Sequence, residues 1–463
     1  MADNTFRKTL EAALGHALSH LDHLDSLPVG ATASLDTLRR RLGKPLADDG
    51  VPPEQVIAEL VRDVEGGIIG SAGGRFYAWV VGGALPAALA ADWLTAAWDQ
   101  NAGLYAAGPA AAVVEEVAGA WIKDMLGLPV RASFALVTGC QMAHVTCLAS
   151  ARHALLARRG WDVAQKGLYG APPIRLLTTR EGHGSVDRAI RLLGLGRQRV
   201  MELPTDAEGR LRVDALEEAF REDASSPTIV LLQAGDVNIG AFDRFEAVIP
   251  VAHEHGAWVH VDGAIGLWVA ASPRYRHLVQ GVGEADSWAT DGHKWLNVPY
   301  DCGYAFVADA DAHRASMSHR APYLTHDDEA RDQMDWNPEW SRRARGFPTY
   351  AALRELGRSG VAELVERCCE HAHALVTRIG ALPGAEVLWE PVINQGLVRF
   401  TDDRRTDEVI AAAMATGEVF FGGTTWRGMR AMRVSVSNWR TTGEDVERAV
   451  RAIERVLGER RTS

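Results

Sequence analysis

The chain has 463 residues, more than one hydrophobic core usually organises, so the sequence predicts two or three lobes. Hydrophobic residues make up 47% and charged residues 24%, which is typical of a globular protein and excludes disorder over the whole chain. The formal net charge of -11 argues against binding of nucleic acid, because contacts with a phosphate backbone need clustered cations.

Residues 1–77 are predicted to form a helical segment, with breaks at 28–30 and 52–53 where prolines interrupt the pattern. One apolar helical face in this segment needs a partner surface, and it consists of Leu10, Leu14, Leu18 and Leu21. The start of the chain lacks a signal-peptide pattern and the five cysteines lack disulfide spacing, so we expect a cytoplasmic location. The apolar stretch 78–91 is too short to span a bilayer, and we expect no association with a membrane.

Residues 78–350 alternate short apolar runs with helix-length patterns, which predicts a large α/β domain with a mostly parallel sheet. The predicted strands are 133–137, 174–178, 200–203, 228–232, 258–261 and 304–307. The helices predicted between them include 142–157, 186–193, 213–220 and 244–255. Residues 351–463 are predicted to form a smaller C-terminal α+β domain, in which helices 351–380 and 444–457 enclose strands near 397–400 and 433–436.

Two clusters of possible metal ligands do not predict a metal site. His16, His20 and His23 share a helical face, but no carboxylate or cysteine completes the set. The cysteine, glutamate and histidine residues of 368–373 point around most of the circumference of one helix. We therefore expect no bound metal.

The most informative residues are one acid and one lysine. Asp262 directly follows an apolar strand, at the end where α/β sheets bind their ligands. Lys294 lies among small, apolar and aromatic residues, where partial desolvation predicts a depressed pKa and a nucleophilic amine. The other four lysines of the chain lie in polar or amphipathic segments: Lys8, Lys44, Lys123 and Lys166.

An acid at a strand end and a single lysine suit pyridoxal 5′-phosphate (PLP), because the lysine can hold the aldehyde and the carboxylate can keep the pyridine nitrogen protonated. The turn 138–143 joins a predicted strand to a predicted helix, whose N-terminus can hold a phosphate. His183 follows another strand, and Asp236 and Asn238 follow the strand 228–232. The convergence of these strand ends indicates PLP binding more specifically than any one of them does.

The segments HVDGA and DGHKWLNVPYDCG resemble the Asp-bearing strand and the His-Lys-Trp motif of the group II PLP-dependent decarboxylases. This family includes the aromatic amino acid, glutamate, histidine and diaminobutyrate decarboxylases. The resemblance runs from about residue 75 to 460. It implies PLP as the cofactor, the aspartate-aminotransferase-like fold (fold type I), and a homodimer with its active sites at the interface.

The resemblance also implies a role for each cofactor-facing residue. Lys294 is the Schiff-base lysine, His293 lies near the phosphate and Asp262 pairs with the pyridine nitrogen. Ala264 packs under the ring and His183 stacks on it. The positions implied to meet the phosphate or the ring substituents are Gly139, Cys140, Gln141, Asp236 and Asn238.

Four positions depart from the family pattern. Asp236 stands where Thr or Ser is common, and an acid beside a phosphate is repulsive unless it turns away or is protonated. Gly184 stands where many relatives have a hydroxyl residue, and the pair Cys140-Gln141 replaces a small or hydroxyl pair.

Five residues bear on the reaction and the substrate. The segment APYLTH resembles the mobile catalytic loop, which implies that Tyr323 returns a proton to the α-carbon and favours simple decarboxylation. The segment MRVSVSN resembles a strand with a substrate-carboxylate arginine, so Arg433 is either that residue or a structural arginine. By register with the family, Trp79 and Tyr105 lie near the side-chain pocket, Tyr105 as a candidate contribution of the partner subunit. An apolar, aromatic wall of the pocket favours an aromatic or bulky apolar substrate, whereas Arg427 keeps a substrate with an acidic side chain as an alternative.

We therefore expect PLP-dependent decarboxylation of an L-amino acid to its amine. One alternative is other α-carbon chemistry on the same cofactor, namely oxidative deamination to an aldehyde, retro-aldol cleavage or transamination. Another is a protein that binds PLP without catalysis.

Overall fold

Strands that are apolar along most of their length build the large sheet. The computed structural model describes residues 5–319 and 330–459 of the chain. The strands of the large sheet are β2 Ser133–Val137, β3 Arg175–Thr179, β4 Val200–Leu203, β5 Thr228–Gln233, β6 Trp258–Asp262, β7 Ser287–Asp291 and β8 Gly303–Val307. Their order is β2-β8-β7-β6-β5-β3-β4. Strand β8 runs in the direction opposite to the other six strands of this sheet. The predicted mostly parallel α/β sheet is confirmed.

Both faces of this sheet are buried. Along β5, Ile229 and Leu231 enter one core cluster while Val230 and Leu232 enter another, because successive side chains of a strand point to opposite faces. The helices of this region are α4 Pro86–Trp98, α5 Pro109–Met125, α6 Cys140–Ala157, α7 Val163–Lys166, α8 Gly184–Leu192, α9 Val213–Glu222, α10 Phe245–Glu254 and α11 Ala310–Met317.

Strand β7 was not among the predicted strands. Ser287, Thr290 and Asp291 interrupt its apolar pattern, yet all five of its residues are buried. Buried polar side chains persist where they find partners, and Ser287 Oγ accepts a hydrogen bond from Trp258 Nε1 at 2.9 Å. A polar strand of this kind gives no periodic signal in the sequence.

A second sheet lies in the C-terminal part of the chain. Its strands are β1 Phe76–Tyr77, β9 Ala385–Trp389, β10 Gln395–Phe400, β11 Phe420–Trp426 and β12 Met429–Ser435, in the order β1-β11-β12-β10-β9. Its helices are α12 Gly346–Gly380, α13 Asp403–Ala415 and α14 Gly443–Glu459. Helix α12 consists of two helices that meet at Gly357, whose φ of 62° is not helical.

The N-terminal helices are α1 Thr5–His23, α2 Leu35–Leu42 and α3 Pro53–Asp63. The predicted break at 28–30 lies between α1 and α2, and the predicted break at 52–53 coincides with the start of α3. Strand β1 belongs to the predicted helical segment 1–77 but pairs with β11 in the second sheet. The domain boundaries at 77/78 and 350/351 stay a prediction. No helix among residues 5–319 and 330–459 is long and apolar enough to cross a membrane.

Candidate active site

The carboxyl ends of five strands of the large sheet meet at one edge. Asp262 ends β6, Asp291 ends β7, and the segments after β2, β3 and β5 carry Gly139, His183 and Asp236. A cleft of about 970 Å³ opens at this edge. Five residues predicted from the sequence line it: Trp79, His183, Asn238, Lys294 and Arg433.

The amine of Lys294 is paired with a carboxylate that the sequence reasoning missed. Its Nζ lies 3.1 Å from Oδ2 of Asp291. The other carboxylate oxygen of Asp291 accepts the backbone N–H of Cys140 at 2.6 Å and lies 3.4 Å from His293 Nε2. The position of Asp291, three residues before the lysine, was the only signal for it in the sequence.

The pKa of Lys294 is raised, so the predicted depression of this pKa is wrong. Burial is the largest single effect and lowers the pKa, as expected for a desolvated lysine. The negative charge of Asp291, with smaller effects of Cys140 and Asp262, outweighs burial and favours the ammonium form. The prediction failed because it considered only the apolar neighbours of Lys294 along the chain.

Asp262 is buried and ionised. Burial opposes ionisation, but His144, His183 and the backbone N–H of Ala264 together hold the pKa of Asp262 well below its usual range. The Ala264 N–H donates to Oδ1 at 3.1 Å, and His144 Nε2 lies 3.5 Å from Oδ2. A carboxylate that stays ionised at neutral pH is what a protonated pyridine nitrogen requires as its partner.

The thiol of Cys140 lies beside this carboxylate. Its Sγ is 3.4 Å from His144 Nε2, and ligand-type atoms of Cys140, His144 and Asp262 lie within 4.8 Å of one another. Burial raises the pKa of the Cys140 thiol well above its usual value, so the sulfur stays protonated. A protonated thiol fits a hydrogen-bonded cluster better than a metal site, because a metal binds the thiolate.

Both predicted site histidines have a nitrogen that accepts a hydrogen bond. His183 caps α8 and accepts the Ser185 N–H on Nδ1 at 3.3 Å, while His293 accepts the Cys302 N–H on Nδ1 at 3.1 Å. Desolvation lowers the pKa of each histidine, so both rings are neutral at pH 7. The His293 ring also stacks on Tyr300, with ring centroids 4.3 Å apart.

Asp236 is turned largely towards its own loop. Its Oδ1 accepts the backbone N–H groups of Asn238 at 2.9 Å and Ile239 at 2.7 Å. Burial, partly offset by these hydrogen bonds, raises the pKa of Asp236 to about 6. Both features reduce the repulsion that the sequence suggested for an acid near a phosphate. Asn238 Oδ1 in turn accepts the hydroxyl of Thr424 at 2.7 Å.

Two predicted substrate residues line the cleft and one does not. Arg433 is buried, donates from Nη1 to the Val237 carbonyl at 3.2 Å, and has no partner for Nε within the described part of the chain. Trp79 is 57% exposed. Tyr105 is absent from the described lining of the cleft, and its N–H donates to Asp332 Oδ1 at 2.9 Å. Tyr323 lies outside the described residues.

The apolar stretch 78–91 crosses directly behind the lysine. The Gly82 N–H donates to the His293 carbonyl at 3.3 Å, and the Gly83 N–H donates to Asn297 Oδ1 at 2.7 Å. A Cβ on Gly82 would lie 2.0 Å from the carbonyl oxygen of Lys294, so only glycine fits there. The sequence reasoning missed this contact, although the Gly82-Gly83 pair was the available signal.

The residues at this edge fit PLP. Lys294 and Asp262 supply the amine and the ionised acid, and the N-terminus of α6 follows the turn at Gly139. A Cβ on Gly139 would approach His293 Cε1 to 2.9 Å, so the turn has no room for a side chain. Gln141 Nε2 is buried near this helix start and lacks a hydrogen-bond partner among the described residues, as a donor reserved for an acceptor such as a phosphate would.

This α/β fold, with a lysine and a strand-end aspartate at one cleft, defines a PLP enzyme of fold type I. The chain belongs to the pyridoxal-dependent decarboxylase family, because its residues 37–401 match the conserved domain of that family. It is a PLP-dependent carboxy-lyase that acts on an amino acid.

Relatives of known name support this assignment. Aromatic-L-amino-acid decarboxylase of Bacillus atrophaeus is 28% identical over 393 residues, which cover 83% of this chain and 78% of that protein. Acidic amino acid decarboxylase GADL1 of Homo sapiens is 28% identical over 364 residues, covering 77% and 69%. The crystal structure of Oryza sativa TDC with PLP and tryptamine shares the fold at 24% identity, with a TM-score of 0.92 and coverage of 99% and 98%.

Proposed function

We propose that the chain decarboxylates an L-amino acid with an aromatic or bulky apolar side chain and releases the corresponding amine. The main support for this proposal is the conformation and exposure of Trp79. Its φ of 54° and the φ of 58° at Val80 lie in the left-handed region, which bulky residues rarely adopt unless the surroundings enforce it. Phe76 and Phe420 flank the indole, with ring centroids 5.8 and 5.3 Å away. An exposed indole that is fixed in the cleft by these contacts offers a stacking surface for an aromatic side chain of the substrate.

The residues of the site have separate tasks in this reaction. When bound, PLP holds the substrate amino group through its aldehyde and takes up the electron pair left when carbon dioxide departs. Lys294 supplies the amine for the resting enzyme, and Asp291 accepts its hydrogen bond. Asp262 keeps a buried negative charge, and neutral His183 offers a flat ring in the cleft. The resemblance assigns the return of a proton to the α-carbon to Tyr323.

An acidic substrate is the second candidate, and Arg433 favours it. A buried guanidinium with an unpartnered Nε at the cleft is suited to a carboxylate, which planar guanidinium groups bind with two hydrogen bonds. Similarity to the human acidic amino acid decarboxylase GADL1 supports the same candidate.

A panel of aromatic, branched apolar and acidic L-amino acids, with mass spectrometry of all products, separates the two substrate classes. We expect the highest kcat/KM for an aromatic substrate and an increase in its KM in Trp79→Ala. Arg427→Met is the control for Arg433→Met, because Arg427 lines the cleft but donates to the Ala207 carbonyl at 3.0 Å. Turnover of acidic substrates alone, lost in Arg433→Met and kept in Arg427→Met, would replace the aromatic proposal with the acidic one.

The proposed proton donor has its own test. In air, Tyr323→Phe should release less amine and more aldehyde than the wild type, because dioxygen can oxidise an α-carbon that is not protonated efficiently, with release of ammonia and hydrogen peroxide. The ratio of amine to aldehyde is measured with the best substrate of the panel. An unchanged product mixture in Tyr323→Phe would remove Tyr323 from the mechanism without affecting the assignment of Lys294.

A further inference from the structure

A line of polar side chains leads from Asp262 into the core, away from the cleft. His144 Nε2 lies 3.5 Å from Asp262 Oδ2, and His144 Nδ1 lies 2.9 Å from His260 Nε2. His260 Nδ1 lies 2.9 Å from Ser287 Oγ, which accepts the indole N–H of Trp258 at 2.9 Å. All five side chains are buried. The catalytic steps described above use only the first of them.

The two ends of this line impose one direction on its hydrogen bonds. An indole N–H only donates, so Ser287 Oγ accepts from Trp258, and the hydroxyl hydrogen of Ser287 is available for donation to His260 Nδ1. The single N–H of a neutral His260 then lies on Nε2 and points to His144 Nδ1. At the other end an ionised Asp262 only accepts, so His144 carries its N–H on Nε2. In a neutral His144 the Nδ1 atom is then an acceptor, so one pair of tautomers satisfies both the acceptor Asp262 and the donor hydroxyl of Ser287.

Burial keeps one proton on His260. Burial lowers the pKa of His260 to about 3, so this ring is neutral over the range in which a decarboxylase works. A neutral imidazole has one donor and one acceptor, and which nitrogen donates is fixed by the partner of the other. When His144 is neutral, a hydrogen donated by Ser287 to His260 Nδ1 therefore leaves the N–H of His144 on Nε2, where it faces the carboxylate.

The fold aligns these side chains without special loops. His260 precedes Asp262 by two residues on β6, so both side chains point to the same face of the sheet. His260 is paired with Ser287 across β6 and β7. His144 lies one turn after Cys140 in α6, so the helix that begins at the predicted phosphate site also reaches Asp262.

We propose that His144 is a positioning residue for Asp262, and that His260, Ser287 and Trp258 hold His144 in the tautomer that donates to this carboxylate. The donated hydrogen bond maintains Asp262 in the ionised state that a protonated pyridine nitrogen of PLP requires. This role rests on PLP binding and is independent of the amino acid that the enzyme decarboxylates.

The protonation state of the cofactor tests the proposal directly. Holoenzyme is reconstituted with PLP carrying ¹⁵N in the ring, and solid-state NMR reports the protonated fraction of that nitrogen. In His144→Leu and Ser287→Ala this fraction should fall, and the dissociation constant of PLP should rise about tenfold, because buried donors or acceptors lose their partners. His144→Gln keeps an amide donor near the position of Nε2 and should retain most of the wild-type signal.

A double variant separates the relay from a general loss of packing. Ser287→Ala should have a smaller effect on the ring nitrogen in the His144→Gln background, because an amide keeps both hydrogens on its nitrogen and has no tautomer to fix. His313→Phe is the matched control, since His313 is also buried and its Nδ1 lies 2.8 Å from Ser133 Oγ, at the start of β2 and away from Asp262. It should lower the melting temperature and leave the ring nitrogen protonated.

Two results would overturn the proposal. One is a fully protonated ring nitrogen and wild-type PLP affinity in both His144→Leu and Ser287→Ala. The other is an equal effect of Ser287→Ala in the wild-type and His144→Gln backgrounds. Should His144→Leu fail to fold, Trp258→Phe replaces it, and an unchanged ring nitrogen in both Trp258→Phe and Ser287→Ala would again contradict the relay.

Discussion

At the scale of single residues, three aspartates near the cleft differ because their surroundings differ. Asp262 is ionised despite burial because His144, His183 and a backbone N–H stabilise its charge. Asp236, which has backbone donors and a more distant arginine, has a pKa raised to about 6, chiefly by burial. Asp291 pairs with Lys294. The chemistry of each carboxylate is thus set by its hydrogen-bond donors and counter-charges.

Asp291→Asn should lower the pKa of Lys294, because it removes the largest of the charges that favour the ammonium form. The free amine captures PLP, so the rise of the capture rate with pH should move to lower pH. Stopped-flow absorbance of apoprotein mixed with PLP measures this. Asp301→Asn is the control, since Asp301 pairs with Arg345. A midpoint that stays in place or moves upward would contradict the role of Asp291.

Asp236→Asn should change the pH dependence of stability. The folded protein holds the proton of Asp236 more tightly than the unfolded chain, because burial raises this pKa from 3.8 to about 6. The wild type should therefore lose stability relative to the variant as the pH rises from about 4 to 6, and the difference should then stay constant. Thermal unfolding of the apoprotein at several pH values measures this, and a constant difference from pH 4 upward would refute it.

At the scale of elements, the sequence predicts strands and helices with a regular apolar pattern, and it does not reveal strands that are polar or short. The six apolar strands of the large sheet, the strand end at Asp262 and the loop with His183 after β3 were predictable, because buried strands read as continuous apolar runs. Strand β7 was not, since its polar residues find partners only across the fold. Asp291 and His144 were missed for the same reason, because each contacts a residue of another element, Cys140 and Asp262 respectively.

Contacts between elements also fix the segment at Gly82. Gly82→Ala should destabilise the fold by roughly 1–3 kcal/mol, because the new Cβ would overlap the carbonyl oxygen of Lys294. Urea unfolding at a constant m-value measures the change. Gly458→Ala, in the exposed last turn of α14 with open space around it, should change stability by at most about 1 kcal/mol. Equal effects of the two substitutions would argue against close packing at Gly82.

At the scale of the whole molecule, α1 leaves apolar surface uncovered. Leu10, Leu14 and Leu18 are 58%, 42% and 50% exposed in the single chain. Exposed apolar stripes of this kind are typical of surfaces that bind another chain. We propose that the enzyme is a homodimer that uses this face, as the resemblance to the decarboxylase family implies.

Light scattering of the purified enzyme should therefore give the mass of two chains. Leu14→Glu should shift the measured mass towards that of one chain, because a charge on the face that the dimer would bury opposes association. Leu46→Glu is the matched control, since Leu46 is 100% exposed and outside α1. A monomeric wild type, or the same mass for both variants, would contradict the proposed interface.

The release of labelled carbon dioxide tests the central claim, that this chain is a PLP-dependent decarboxylase working through Lys294. The best substrate, labelled with ¹³C in its carboxylate, is incubated with wild type and with Lys294→Ala. Wild type should release labelled carbon dioxide and amine in equal amounts, and Lys294→Ala should release neither at a comparable rate. Consumption of the amino acid with its label retained in a keto acid, or full activity of Lys294→Ala, would contradict it.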